Sequence, residues 1–363
     1  MAITAAAGGG NWTTGATWVG GVAPTAADDA LITSASGNVT IDSGGAVCRS
    51  LDCNTFTGTL THNGSSTLTI GDGTAGAGNI ALRLVSGMTY TKGSNTSSQF
   101  AFISTSATQQ TITTAGKILG NVTVNSASNG NFIQADALSM TGTANTNFIL
   151  TKGTWSTGGY NLSCGAIVTS NSNVRALDIT NSTVTLAATT GNTWSAATST
   201  NFTPTTTGST INLTQTGASN TTFQSGGKTF NNVVVTTGGA GVVIFAGGGT
   251  YNKLSVTGGG TKNIQFTAST TSTITGPSDS FFAGISGSLI TIASTSAGSA
   301  ATISKASGVL ATDYISLQDS TATGGATFYA GGHSTNVSGN TGWIFTNLPN
   351  SNFLLFFDEM SVG

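Results

Sequence analysis

The 363-residue chain carries 10 Lys and Arg against 12 Asp and Glu, a net charge of −2. Charged residues make up only 6% of it, where an ordinary soluble domain has about 25%. That balance excludes a basic nucleic-acid surface, and a 37% hydrophobic content rich in Val, Ile and Thr excludes a disordered polar linker.

Residues 1–38 read as an N-terminal cap segment. The stretch NWTTGATWVGGVAPTAADDALI (11–32) holds two of the five Trp and the Asp28-Asp29 pair. The first turn of a stacked coil would expose its apolar column, so Trp12 and Trp18 are expected to close it as an aromatic lid. Carbohydrate stacking is the alternative role for these rings.

From 39 to 287, short apolar pairs recur about every ten residues in a background of Gly, Ser, Thr and Asn. Val39 and Ile41, Leu68 and Ile70, Val122 and Val124, and Leu254 and Val256 are such pairs. Residues i and i+2 share one face of a strand. So short a strand is stable only when a like neighbour stacks about 4.8 Å away and the pairs form a continuous internal column. The segments KTFNNVVVTTGG from Lys228 and GTYNKLSVTGGG from Gly249 align. They place Phe230 over Tyr251 and Asn231 over Asn252, a repeat of about 21 residues, with a weaker copy, KILGNVTVNSAS, from Lys117. Val235 and Val256 are expected to point inward. No stretch carries helical periodicity. The predicted fold is therefore all-β, a single-chain parallel β-helix (β-solenoid) of about 15 to 18 turns and about 70 to 85 Å.

The residues that could carry chemistry are sparse. Cys48 and Cys53 would face opposite ways on one strand, Cys164 is isolated, and His62 and His333 have no zinc-ligand spacing. Small buried hydrophobes is the expected role of the cysteines, and neither metal nor cofactor is expected. The acids are scattered. Asp52 and Asp72, about one turn apart, form the best candidate pair for glycan cleavage, but isolated acids at turns more often accept backbone N–H bonds. No catalytic residue is therefore expected.

Residues 288–346 read as a C-terminal module marked by Tyr314, Tyr329 and Trp343. The tail, 347–363, carries Phe353, Leu354, Leu355, Phe356 and Phe357 in succession. Burying each is worth roughly 1.5 to 3 kcal/mol, so this run is expected either to fold back as a cap or to dock into a partner. It falls far short of the ~18 apolar residues of a membrane span, so no membrane insertion is expected. MAITAAAGGGNW at the start has no basic region followed by an apolar one, so no secretory leader is expected either.

Residues 148–186 (FILTKGTWSTGGYNLSCGAIVTSNSNVRALDITNSTVTL) and 221–235 (TTFQSGGKTFNNVVV) resemble a β-helical repeat family of phage structural proteins and environmental viral and bacterial surface proteins. The match at 288–345 is more specific. Its landmarks are Tyr314, Gln318-Asp319-Ser320, Phe328-Tyr329-Ala330-Gly331, Ser334, Asn340 and Gly342-Trp343. The NW…W…P…DD pattern is also similar to the start of many right-handed β-helix proteins. The resemblance implies a right-handed coil and a non-enzymatic virion structural protein of a tailed phage, serving as capsid decoration, head fibre or tail fibre. Its implied partners are other virion proteins and host surface glycans, its place the virion surface, and self-association is left open. A bacterial surface adhesin is the alternative, and a carbohydrate-active lyase or hydrolase the second alternative.

Overall fold

The computed structural model describes residues 1–42, 45–93, 98–127, 130–140, 146–214, 216–236, 239–258 and 262–349. The chain is all-β, with 48% of it in strands and 2% helical. Between strands, every ladder pairing is parallel. Among the described residues the strands fall into sheets of 21, 4, 9 and 3. Each circuit of the chain visits three faces in turn. Asp29–Leu31, Val39–Ile41 and Ala46–Cys48 make one such circuit, and each strand pairs with its counterpart in the next: Ser50–Asp52, Thr59–His62 and Thr67–Ile70. This is the arrangement of a β-solenoid.

The third face forms the longest ladder. From Ala46–Cys48 to Thr335–Ser338, thirteen strands pair in unbroken succession. At about 4.8 Å per strand the ladder spans roughly 60 Å. It also runs through the junction at 287 and 288, where Lys262–Phe266 pairs Ile290–Ser294. The turns are fewer than the 21-residue repeat leads one to expect because the repeat is not constant. Its step is 19 residues from Ile149 to Val168 and 32 from Ile70 to Phe102. The extra residues lie in corner loops, which a parallel ladder tolerates without losing register.

Inside, the period-2 pattern does what the apolar pairs require. Leu68, Phe100, Val122 and Phe148 lie over one another in consecutive turns, all buried. Phe230 pairs Tyr251, their rings stacked 5.8 Å apart at 21°. That pairing confirms the 21-residue step between these two turns. Further rings extend the stack: Phe223 against Phe245, then Phe245 against Phe266, 5.8 and 5.4 Å apart. Val235 is buried, whereas Val256 directly above it is only partly so. The cause is local. Beyond Thr250–Thr257 only Thr250 and Tyr251 find ladder partners in the next turn, Thr273 and Ile274, so Val256 borders a cleft.

Candidate functional site

The three cysteines are free and buried, stacked as small apolar residues; Cys48 lies under Ile70, and Cys164 under Leu186. Burial pushes their thiols up, that of Cys164 to about 12, so none is a ready nucleophile. Asp52 and Asp72 are not brought together. Asp52 stands on the first face beneath Arg83, which it pairs at 2.5 Å, while Asp72 follows the third-face strand Thr67–Ile70 and accepts from the Thr74 backbone N–H at 2.7 Å. A spacing of about one turn therefore does not give stacking when the two acids sit at different stations of the circuit.

All ten described acids are engaged in structure. Four pair with cations: Asp28 with the N-terminal ammonium, Asp29 with Arg49, Asp52 with Arg83 and Asp279 with Lys253, at 3.3, 2.5, 2.5 and 2.7 Å, and Asp313 hydrogen-bonds the His333 ring at 2.8 Å. Burial pushes the Asp29 carboxyl up, but hydrogen bonds from Arg49 and Ser50 outweigh it and hold the group below the usual carboxylate range. Asp72, Asp136, Asp178 and Asp319 accept backbone N–H groups at corners. Asp28 and Asp42 bind the hydroxyls of Thr25 and Thr13. Asp358 and Glu359 lie outside the described residues. No group of three or more potential metal ligands occurs among the described residues.

Trp12 and Trp18 lie in the first circuit, where Gly10–Asn11 pairs Val39–Ile41. Both are buried, with ring centroids 4.8 Å apart in an edge-on arrangement, and the Trp18 Nε1–H donates to the Trp12 carbonyl at 2.7 Å. Their faces are therefore committed to the core rather than offered to a sugar. In the last turns, Trp343 is buried against Phe328 and donates from Nε1 to Ser320 Oγ at 3.1 Å. Tyr329 pairs Ala311 on one side and Ile344 on the other. Tyr314 is apart from both. Its ring stacks on His333, 4.6 Å away and nearly parallel at 2°. Its backbone has φ +54°, a left-handed conformation that costs a non-glycine residue about 1–2 kcal/mol. Phe353, Leu354, Leu355, Phe356 and Phe357 lie outside the described residues.

What remains as a candidate contact surface is the outer side of the ladders. In the last turns, Thr271, Thr302, Thr321 and Thr341 form one column and Thr250, Thr273, Ser304 and Thr323 another. The strands that carry these hydroxyls are about 4.8 Å apart, and each of these positions is Thr or Ser. A cleft of about 280 Å³ opens nearby between Val256, Gly258, Gly284, Ile285, Ser288 and Ile290. Its rim meets the strained aromatic residue, since Gly284 N–H donates to Asp313 O and Ile290 N–H to Tyr314 O.

Sequence reasoning missed the polar residues that point inward. His62, Arg175 and Lys305 are all buried. The signal was present, because alternation in RALDI and ATISK puts Arg175 with Leu177 and Lys305 with Ile303 on the inner face.

No family model, no curated protein and no solved structure matches this chain.

Proposed function

We propose that this chain is a non-enzymatic structural protein of a tailed-phage virion, a right-handed β-helical rod displayed on the particle surface that contacts host surface glycans. The observation that carries this reading is the outer side of the coil, where columns of uncharged hydroxyls run from turn to turn while all ten described acids are tied into structural contacts. Such a surface resists non-specific attraction to charged partners and presents a regular row of hydrogen-bonding groups. Right-handedness follows the twist preference of parallel strand connections. The resemblance of residues 148–186, 221–235 and 288–345 to phage β-helical proteins supports the assignment to a particle. Trp12 and Trp18 act as the lid of the first turn. Capsid or tail proteins are the partners of its ends.

Immunogold labelling of a culture that makes the protein tests this reading. Gold on tailed particles is the expected result. Gold confined to the cell envelope would overturn it in favour of a bacterial adhesin.

A further inference from the structure

Near the end of the coil, apolar side chains border an opening on its flank. Among the described residues Val256 has no ladder neighbour in the next turn, and it borders the cleft of about 280 Å³ whose other walls include Ala283, Ile285 and Ile290. Ile285 is 63% exposed. It is nevertheless held in place, because Ile285 and Ser288 close a tight turn in which each N–H donates to the other's carbonyl, at 3.3 and 2.9 Å. Leu289 beside it is exposed as well. A fixed apolar rim around an apolar opening favours burial under another apolar surface.

The end of the described chain stands three turns away along the same corner of the coil. Gly284 N–H donates to Asp313 O and Ile290 N–H to Tyr314 O. One turn further, His333 N–H donates to Asp313 Oδ1 at 3.0 Å while its ring stacks on Tyr314. In the last turn Gly332 N–H donates to Asn347 Oδ1 at 2.8 Å. Three spacings of about 4.8 Å put Asn347 roughly 14 Å from the level of the cleft. Past Pro349 the sequence continues through Asn350, Ser351 and Asn352 to the apolar run 353–357. At about 3.3 Å per extended residue, Phe353 and Phe357, four and eight residues beyond Pro349, have reaches of about 13 and 26 Å. The run is long enough to arrive there.

We propose that the apolar run 353–357 of the same chain turns back along this corner and docks in the cleft, covering Val256 and Ile285. The top of the third face is already closed by amides. Asn336 stands directly above the inward Leu317, and Asn340 Nδ2 donates to Leu317 O and to Asn336 Oδ1 at 2.7 and 2.8 Å. The tail is therefore a clasp on the flank of the rod and not a lid on its end.

Limited chymotrypsin digestion of the full chain, read by intact mass, tests the docking, because cleavage of a segment that opens and recloses quickly tracks the fraction that is open. Cleavage after residues 353–357 is expected to be slow in wild type at any protein concentration. It should become at least 10-fold faster in Ile285→Asp, which puts a charge on the rim, and stay as in wild type in Val19→Asp, an equally exposed site in the first turn. Since Ile285 is exposed, its variant is expected to keep the wild-type circular dichroism spectrum. Should it not fold, Ala283→Asp, at another exposed position on the cleft, replaces it. Equal rates in wild type and a folded rim variant would overturn the proposal: both fast leaves the run to a partner protein, both slow places it elsewhere on the coil. Protection that grows with protein concentration would overturn it in favour of a second copy as the occupant. Equal acceleration by Val19→Asp would show a general loosening and also count against the cleft.

Discussion

His62 shows how a single polar side chain can be held in an apolar column. It takes the place above Ile41, with Nε2 donating to the Ser66 carbonyl at 2.9 Å and Nδ1 accepting from the Tyr90 hydroxyl at 3.1 Å. Phe100 packs edge-on against it at 5.0 Å. Burial pushes its pKa down from 6.5 to about 4. Between those values the unfolded chain binds a proton that the folded one refuses, so the folded state loses stability as pH falls through 6.5 and the loss levels off below 4. The full loss is roughly 3 kcal/mol at about 1.4 kcal/mol per pKa unit. Urea unfolding midpoints at pH 7 and pH 4.5 should therefore differ more in wild type than in His62→Leu. Equal pH sensitivity would mean the imidazole is solvated. Val235 makes the companion case for an apolar position. It lies between Leu213 and Val256 in the ladder, and Val235→Asp should cost about 3–5 kcal/mol by burying an unpaired charge. An unchanged melting temperature in that variant would put the side chain outside.

At the scale of the element, what matters is how a strand of three to five residues is stopped and turned. The corner after Gln110–Thr113 is held by an acid from the following turn. Asp136 accepts from the backbone N–H of Thr114 at 2.8 Å and of Ala115 at 2.5 Å. Ala115 adopts φ +51° there, a conformation that glycine takes without strain. Asp136→Ala leaves those amides without their acceptor and should cost about 1–3 kcal/mol, whereas Ala115→Gly should be neutral or stabilising by up to about 1 kcal/mol. Chemical denaturation of both variants checks the pair; destabilisation by Ala115→Gly would show that the corner is not strained. The strands themselves were legible in the sequence because period 2 survives any loop length, and Phe230 over Tyr251 could be aligned for the same reason. The corners were not. Their length changes from turn to turn, so a constant step misplaced Asp72 relative to Asp52. Arg175 and Lys305 escaped notice because a cation beside Gly, Ser and Asn reads as a turn even when its parity is inward.

Across the whole molecule, stability is a sum of turn-on-turn contacts, since each strand touches only the turns below and above it. That construction suits a passive rod, because no part must move for it to work. It also explains where the acids are spent: Asp29 and Asp52 brace successive turns of the first face through Arg49 and Arg83. The central claim is that this coil binds without cutting. It is tested most directly by incubating the full chain with host polysaccharide, and assaying reducing ends and unsaturated uronate products alongside binding. The account predicts bound protein and an unchanged polymer, with Asp52→Asn and Asp72→Asn behaving as wild type. New chain ends that appear with wild type and disappear with either variant would contradict it and make the coil an enzyme.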